Sequence, residues 1–174
     1  LHELRTHTEI EMIIVGPTQD WPDEDLLRAK KNGTCLGFMP PNEAAEVLAG
    51  ADALLVVMSF EREHELFMRT SFTTKFLDYS AFAKSVILWG PDYCTPSRLA
   101  MREEAALVVN SNSAQGVITA AKKLMDEPQE VARLCAASRR LSQTVFSPDR
   151  LQEIFEKQVK KLVSGSNLKN ACKT

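Results

Sequence analysis

Short apolar runs alternate with amphipathic stretches along most of the chain. The run at 10–15 ends at Gly16 and Pro17, the run at 34–38 ends at Pro40 and Pro41, and the run at 86–89 ends at Gly90 and Pro91. Residues 53–58 are continuously apolar, as a strand covered on both faces requires, and 106–109 close the series before Asn110. Runs of four to six apolar residues separated by helical stretches predict a parallel, doubly wound sheet.

The helices between the runs carry their own start and stop signals. Pro22, Asp23, Glu24 and Asp25 open one, with acids in its first turn, and Gly33 follows its end. Asn42 is the expected cap of the next, which leaves at Gly50; Ser71, Thr95 and Ser147 are expected caps further on, the last two each followed by proline. Val117, Ile118, Ala121, Leu124 and Met125 recur at helical spacing, as do Val131, Leu134, Leu141 and Val145. Leu151, Ile154, Phe155, Val159 and Leu162 mark a last helix. The aperiodic end, 164–174, is expected to be a flexible tail, which leaves 1–163 as a single domain.

Composition narrows the class. At 174 residues, with 44% hydrophobic and 25% charged residues, the chain fits one α/β domain rather than a disordered or membrane class. A net charge of −2 gives no argument for nucleic acid, and no apolar run approaches the ~20 residues of a membrane span. Cys35, Cys94, Cys135 and Cys172 form no pair at ligand spacing, and His2, His7 and His64 no metal signature. The thiols read as reduced, in a cytoplasmic compartment, and no metal or cofactor is expected.

In an open parallel sheet, ligands gather at the carboxyl ends of the strands. That selects Gly16, Met39 and Ser59 as strand-exit positions, together with Gly90 and Pro91. One following stretch stands out. With Ser71 as a helix cap, Ser71, Thr74, Lys75 and Asp78 fall at i, i+3, i+4 and i+7 on one polar stripe, while Phe72, Phe76, Tyr79 and Ala83 occupy an enclosed face. A lysine and hydroxyls beside the unpaired N–H groups of a helix start suit a diphosphate, and a carboxylate one turn deeper suits vicinal ribose hydroxyls. The alternative is a plain cap at Ser71 with an i,i+3 surface ion pair between Lys75 and Asp78.

The stretch Ser71-Phe72-Thr73-Thr74-Lys75-Phe76-Leu77-Asp78-Tyr79 resembles the S-x-P-T-K-x-x-E-Y segment of the donor domain in group 1 glycosyltransferases, the retaining GT-B class. Ser80 to Ile87 resembles that family's helix end, A-x-G-x-P-V-I, Gly37 through Glu43 its G-x-V-x-x-x-E turn, Ala51-Asp52-Ala53 its A-D strand entry, and Ile13-Ile14-Val15-Gly16 its I-V-G strand end. The likeness runs over positions 10 to 160. It implies a three-layer Rossmann-like parallel sheet, the carboxy-terminal half of a GT-B fold, binding a nucleoside-diphosphate sugar. In the family the acid at the position of Asp78 contacts ribose, the helix start holds diphosphate, and backbone near Phe38 and Met39 approaches the base.

The implied reaction is transfer of the sugar to a hydroxyl acceptor with retention, as in polysaccharide biosynthesis. Acceptor contacts and any membrane attachment would lie on a missing amino-terminal lobe, no catalytic base is identified, and this chain alone is expected to be inactive. The first visible strand resembles the family's second. The family's central first strand, with its basic phosphate loop, is therefore expected before Leu1, and the gap it leaves between the strands at 10–15 and 53–58 is expected to be met by a segment outside this sequence, by a strand lent by another copy, or by the sheet sliding closed.

Asp78 stands where the family has glutamate, Thr70 where it has a second acid, and Ala83 and Ser85 where it has glycine and proline. These departures keep a second reading open: a non-catalytic sugar-nucleotide-binding or interaction module of the same fold. The charged run 61–65, with His64, is read as a solvated loop, with contact to the donor sugar as its alternative; Trp89 is read as core, and Trp21 as a base-stacking candidate.

Overall fold

The computed structural model describes residues 10–18 and 22–165. In chain order these form β1 (Ile14–Val15), α1 (Asp23–Lys31), β2 (Cys35–Gly37), α2 (Pro41–Gly50), β3 (Ala53–Val57), a 3-10 turn (Arg62–His64), α3 (Glu65–Thr70), α4 (Thr74–Ser80), β4 (Ser85–Trp89), α5 (Thr95–Glu103), β5 (Leu107–Val109), α6 (Ala114–Asp126), α7 (Pro128–Gln143) and α8 (Pro148–Gly165). All strand pairs are parallel, and helices flank the sheets, an α/β arrangement of Rossmann-like kind.

The central sheet has the order β3-β4-β5, with Ala53 opposite Ser85 and Ile87 opposite Leu107. Alternation along its strands divides the core in two. Val56, Val86 and Leu88 face a cluster with Met68 of α3, Phe76 of α4, Ala100 of α5 and Leu141 of α7. Ala53, Leu55, Ile87, Trp89, Leu107 and Val109 face the opposite cluster, built on Val117, Ile118 and Leu124 of α6 and Leu134 of α7. Apolar burial on both faces accounts for the unbroken apolar runs at β3 and β4. Trp89 is held in this second layer, and its indole N–H donates to the Ser111 carbonyl at 2.8 Å.

β1 and β2 form a second, two-stranded sheet. Among the described residues no strand joins it to β3. The strand expected at 10–15 is shorter than its apolar run: only Ile14 and Val15 pair, while Ile10 and Met12 pack against the second cluster.

Several ends differ from expectation. Asn42 does not cap α2, which begins at Pro41 after Pro40; proline at the first helical position has no N–H to satisfy and fixes φ, so it displaces the polar cap. Thr95 is the first residue of α5, with Cys94 as cap and Pro96 at the second position. Ser147 does cap α8, its hydroxyl accepting from the Arg150 N–H at 3.4 Å. That helix runs through Gly165, past the expected start of the tail, and every residue from 148 to 163 is exposed. Trp21, His2, His7, Cys172 and the stretch 166–174 lie outside the described residues.

Candidate functional site

Of the candidate residues, Gly16, Met39 and Ser59 follow β1, β2 and β3, while Thr74, Lys75 and Asp78 lie on α4. Ser59 follows β3. Its hydroxyl accepts from the Glu61 N–H at 3.1 Å and stands 3.1 Å from His64 Nδ1. The run 61–65 is therefore an ordered helical turn leading into α3 rather than a loop, because this hydrogen bond ties it back to the strand exit. Glu63 Oε1 lies 3.9 Å from His64 Nε2, and both side chains are exposed. The local charge pattern of the run gave no sign of the Ser59–His64 bond, which depends on the turn geometry.

Ser71 does not cap α4. Residues 65–70 form a helix of their own, and Ser71 is the extended residue that caps its end, its N–H donating to the Phe67 carbonyl at 2.8 Å. α4 starts three residues later. Its cap is Thr73, in extended conformation, and no side chain accepts from the first-turn N–H groups. Ser71 is thus removed from the polar stripe, which consists of Thr74, Lys75 and Asp78, all exposed. The enclosed face holds as expected: Phe76 is fully buried, and Phe72 and Phe146 pack on it with ring centroids 6.2 and 5.9 Å away. Among the described residues no ion pair joins Lys75 to Asp78, and neither has a charged partner there, so the stripe presents a cation and a carboxylate independently to solvent. Beside it, burial and then the charge of Asp78 push the Tyr79 phenol up.

A second wall is built from α3 and the start of α5. The Arg69 guanidinium lies 4.4 Å over the Tyr93 ring and pairs with Glu65 at 2.7 Å. Its carbonyl accepts from Thr95 Oγ1 at 2.9 Å and from Arg98 Nη2 at 3.3 Å. Those contacts fix the loop after Gly90 against the helix leading to α4. Cys94, fully buried at this junction, has its thiol pushed up by burial and is a packing residue.

Gly16 and Met39 belong to the other sheet. Gly16 follows β1 at φ 144°, with its N–H donating to the Gly37 carbonyl at 2.9 Å, and Met39 lies half-buried between β2 and α2. No hydrogen bond or ion pair links either of them to Thr74, Lys75 or Asp78 among the described residues. A groove of about 520 Å3 lies at the far edge of the central sheet, along β5 and α6, and shares no residue with the stripe. No group of three His, Cys, Asp or Glu side chains converges as a metal site, and no helix is long and apolar enough to cross a membrane, among the described residues. Neither a protein-family model nor a curated protein matches the chain.

Proposed function

We propose that this chain is the donor-binding lobe of a retaining glycosyltransferase, holding a nucleoside-diphosphate sugar at the start of α4. The observation that carries the reading is the exposed stripe of Thr74, Lys75 and Asp78 beside a helix start that no side chain caps. Unfilled N–H groups and an unpaired ammonium favour an anion there. Lys75 and Thr74 contact the diphosphate in this reading, and Asp78 accepts hydrogen bonds from the ribose hydroxyls. Ser59 with His64 borders the sugar, while Gly16 and Met39 take the nucleoside side.

Retaining transfer in this class draws mainly on positioning and on stabilising the departing diphosphate, the part assigned to Lys75. A hydroxyl acceptor would be brought by an amino-terminal lobe. A cytoplasmic setting goes with the reading, since Cys35, Cys94 and Cys135 are unpaired thiols.

One observation favours the non-catalytic alternative. Thr70, at the position of the family's second acid, donates its hydroxyl proton to the Leu66 carbonyl at 2.8 Å and carries no charge to bring to a ligand. Calorimetric titration with UDP, GDP, ADP and their sugar derivatives tests the donor site itself, and sugar transfer once an acceptor lobe is supplied separates a catalytic lobe from a non-catalytic binder. Binding of a nucleotide sugar more tightly than free nucleotide supports a donor lobe. Absence of binding up to about 1 mM, the weak end of specific recognition, rules out a sugar-nucleotide site and leaves only the interaction module.

A further inference from the structure

α8 carries an apolar face that the domain does not use. Leu151, Ile154, Phe155, Val159, Leu162 and Val163 all fall within one half of the helix circumference, and none of the helix's charged residues falls there. Phe155 is 64% exposed and Leu162 71%, so this face is open along its length. The opposite half holds all seven charges, Asp149, Glu153 and Glu156 among them, with Lys160 reaching Glu156 at 3.5 Å. So many charges in 18 residues exclude a membrane span, and the shape suits a helix that lies in an interface.

Charge along the chain says which interface. From Lys157 to the end at Thr174 there are five lysines and no acidic residue. The whole chain carries −2, so residues 1–156 carry −7. The molecule is thus an acidic body with a basic end, and the basic end begins on the helix with the uncovered apolar face. We propose that α8 and the lysines following it bind the surface of an anionic lipid bilayer, with the apolar half set among the acyl chains. Such a surface offers hydrocarbon beneath and negative charge at the headgroups, matching both halves of the helix. A second copy matches only one of them, since pairing the faces sets two lysine-rich ends side by side. The acidic remainder of the chain is repelled by the same surface, which confines contact to α8. The inference is independent of the donor site: it rests on α8 alone.

The test is co-sedimentation of the full chain with vesicles of phosphatidylcholine alone and of an equal mixture of phosphatidylcholine and phosphatidylglycerol. Binding is expected to the mixed vesicles only, and should fall steeply as salt is raised toward about 1 M, where charge is screened within about 3 Å. Lys157→Gln, Lys160→Gln and Lys161→Gln should each weaken it about fivefold. Phe155→Glu, on the exposed face, should weaken it about a hundredfold without changing the thermal midpoint. Phe155→Trp should keep binding, and its emission should move to shorter wavelength on mixed vesicles. Absence of binding to the mixed vesicles overturns the proposal, as does equal binding to phosphatidylcholine alone. Binding that survives Phe155→Glu, or an unshifted Phe155→Trp emission, shows adsorption without insertion and overturns it too. Concentration-dependent self-association lost in Phe155→Glu, with no vesicle binding, would assign the face to a second copy and likewise overturn it.

Discussion

A Cβ added to Gly90 would stand 2.5 Å from the Cβ of Met58, so the exits of β3 and β4 touch where only a glycine fits. Met58 is buried, and its N–H donates to the Trp89 carbonyl at 2.8 Å, which fixes the partner in place. Gly90→Ala must therefore push two strand ends apart, and we expect a loss of ~1–3 kcal/mol, the usual scale of overpacking. Urea denaturation measures it. Met58→Ala should not rescue the variant, because the contact is with a carbon that alanine retains.

Ala83 sits at φ 50°, in the left-handed region, in the turn between α4 and β4. An L-residue there is strained by ~1–2 kcal/mol, offset in part by the greater entropy glycine loses on folding. Ala83→Gly is expected to raise stability by ~0.5–1 kcal/mol. The thermal midpoint should rise by a few degrees; an unchanged or lowered midpoint would show that the turn is unstrained.

Glu130 accepts from both Arg133 Nε at 2.7 Å and Nη2 at 2.9 Å. Those hydrogen bonds first, and then the charges of Arg133 and Lys123, hold its carboxyl down to about 2 from 4.5. A carboxyl whose folded value lies below its unfolded one stabilises the fold above the unfolded value and loses that contribution as pH falls through the folded one. The stabilisation is thus present above about pH 4.5 and fades toward about pH 2. Glu130 is 14% exposed and Arg133 is 42% exposed, so solvent screening leaves ~1 kcal/mol. Glu130→Gln should cost that much at pH 7, with the difference from the parent narrowing as the pH of the denaturation series is lowered to 3.

What the sequence revealed depended on whether packing or local chemistry decided each element. β3 and β4 were legible because nearly all residues of the runs at 53–58 and 86–89 meet a covered face; Val57, 56% exposed, is the exception. β1 was overread: Ile10 and Met12 also suit a segment laid across the α6 cluster, and Ile13 between them and the strand is 47% exposed. Ser71 was misplaced because α3 has no amphipathic signal. Leu66 and Phe67 are exposed and only Met68 is buried, so the helix that displaces Ser71 from α4 left no pattern to read. Ala83 was visible as a departure from the family's glycine, though its left-handed backbone was not. The polar stripe of α4 came through because Phe76 and its aromatic neighbours fix which face is inside. The Ser59–His64 pair did not, since it arises from a turn that residue types alone do not specify.

The stripe supplies the most direct test of the donor site. Lys75 and Asp78 are exposed, so Lys75→Ala and Asp78→Asn should each leave stability within ~0.5 kcal/mol of the parent. Binding changes can then be read without correction for unfolding. Loss of a charge-assisted contact with diphosphate predicts that Lys75→Ala weakens nucleoside diphosphates by ~1.5–3 kcal/mol. Free pyrophosphate should weaken by a similar amount, because Lys75 is assigned to the phosphates alone. Asp78→Asn should behave differently. The carboxamide keeps one acceptor oxygen but loses the charge, so nucleosides should weaken while pyrophosphate is unchanged or tighter, a nearby negative charge having been removed. Calorimetry on the two variants with UDP, GDP, ADP and pyrophosphate gives the full comparison. If both variants bind all four as the parent does, the ligand does not sit on α4. If Asp78→Asn loses pyrophosphate as strongly as nucleotide, the carboxylate is not a ribose contact.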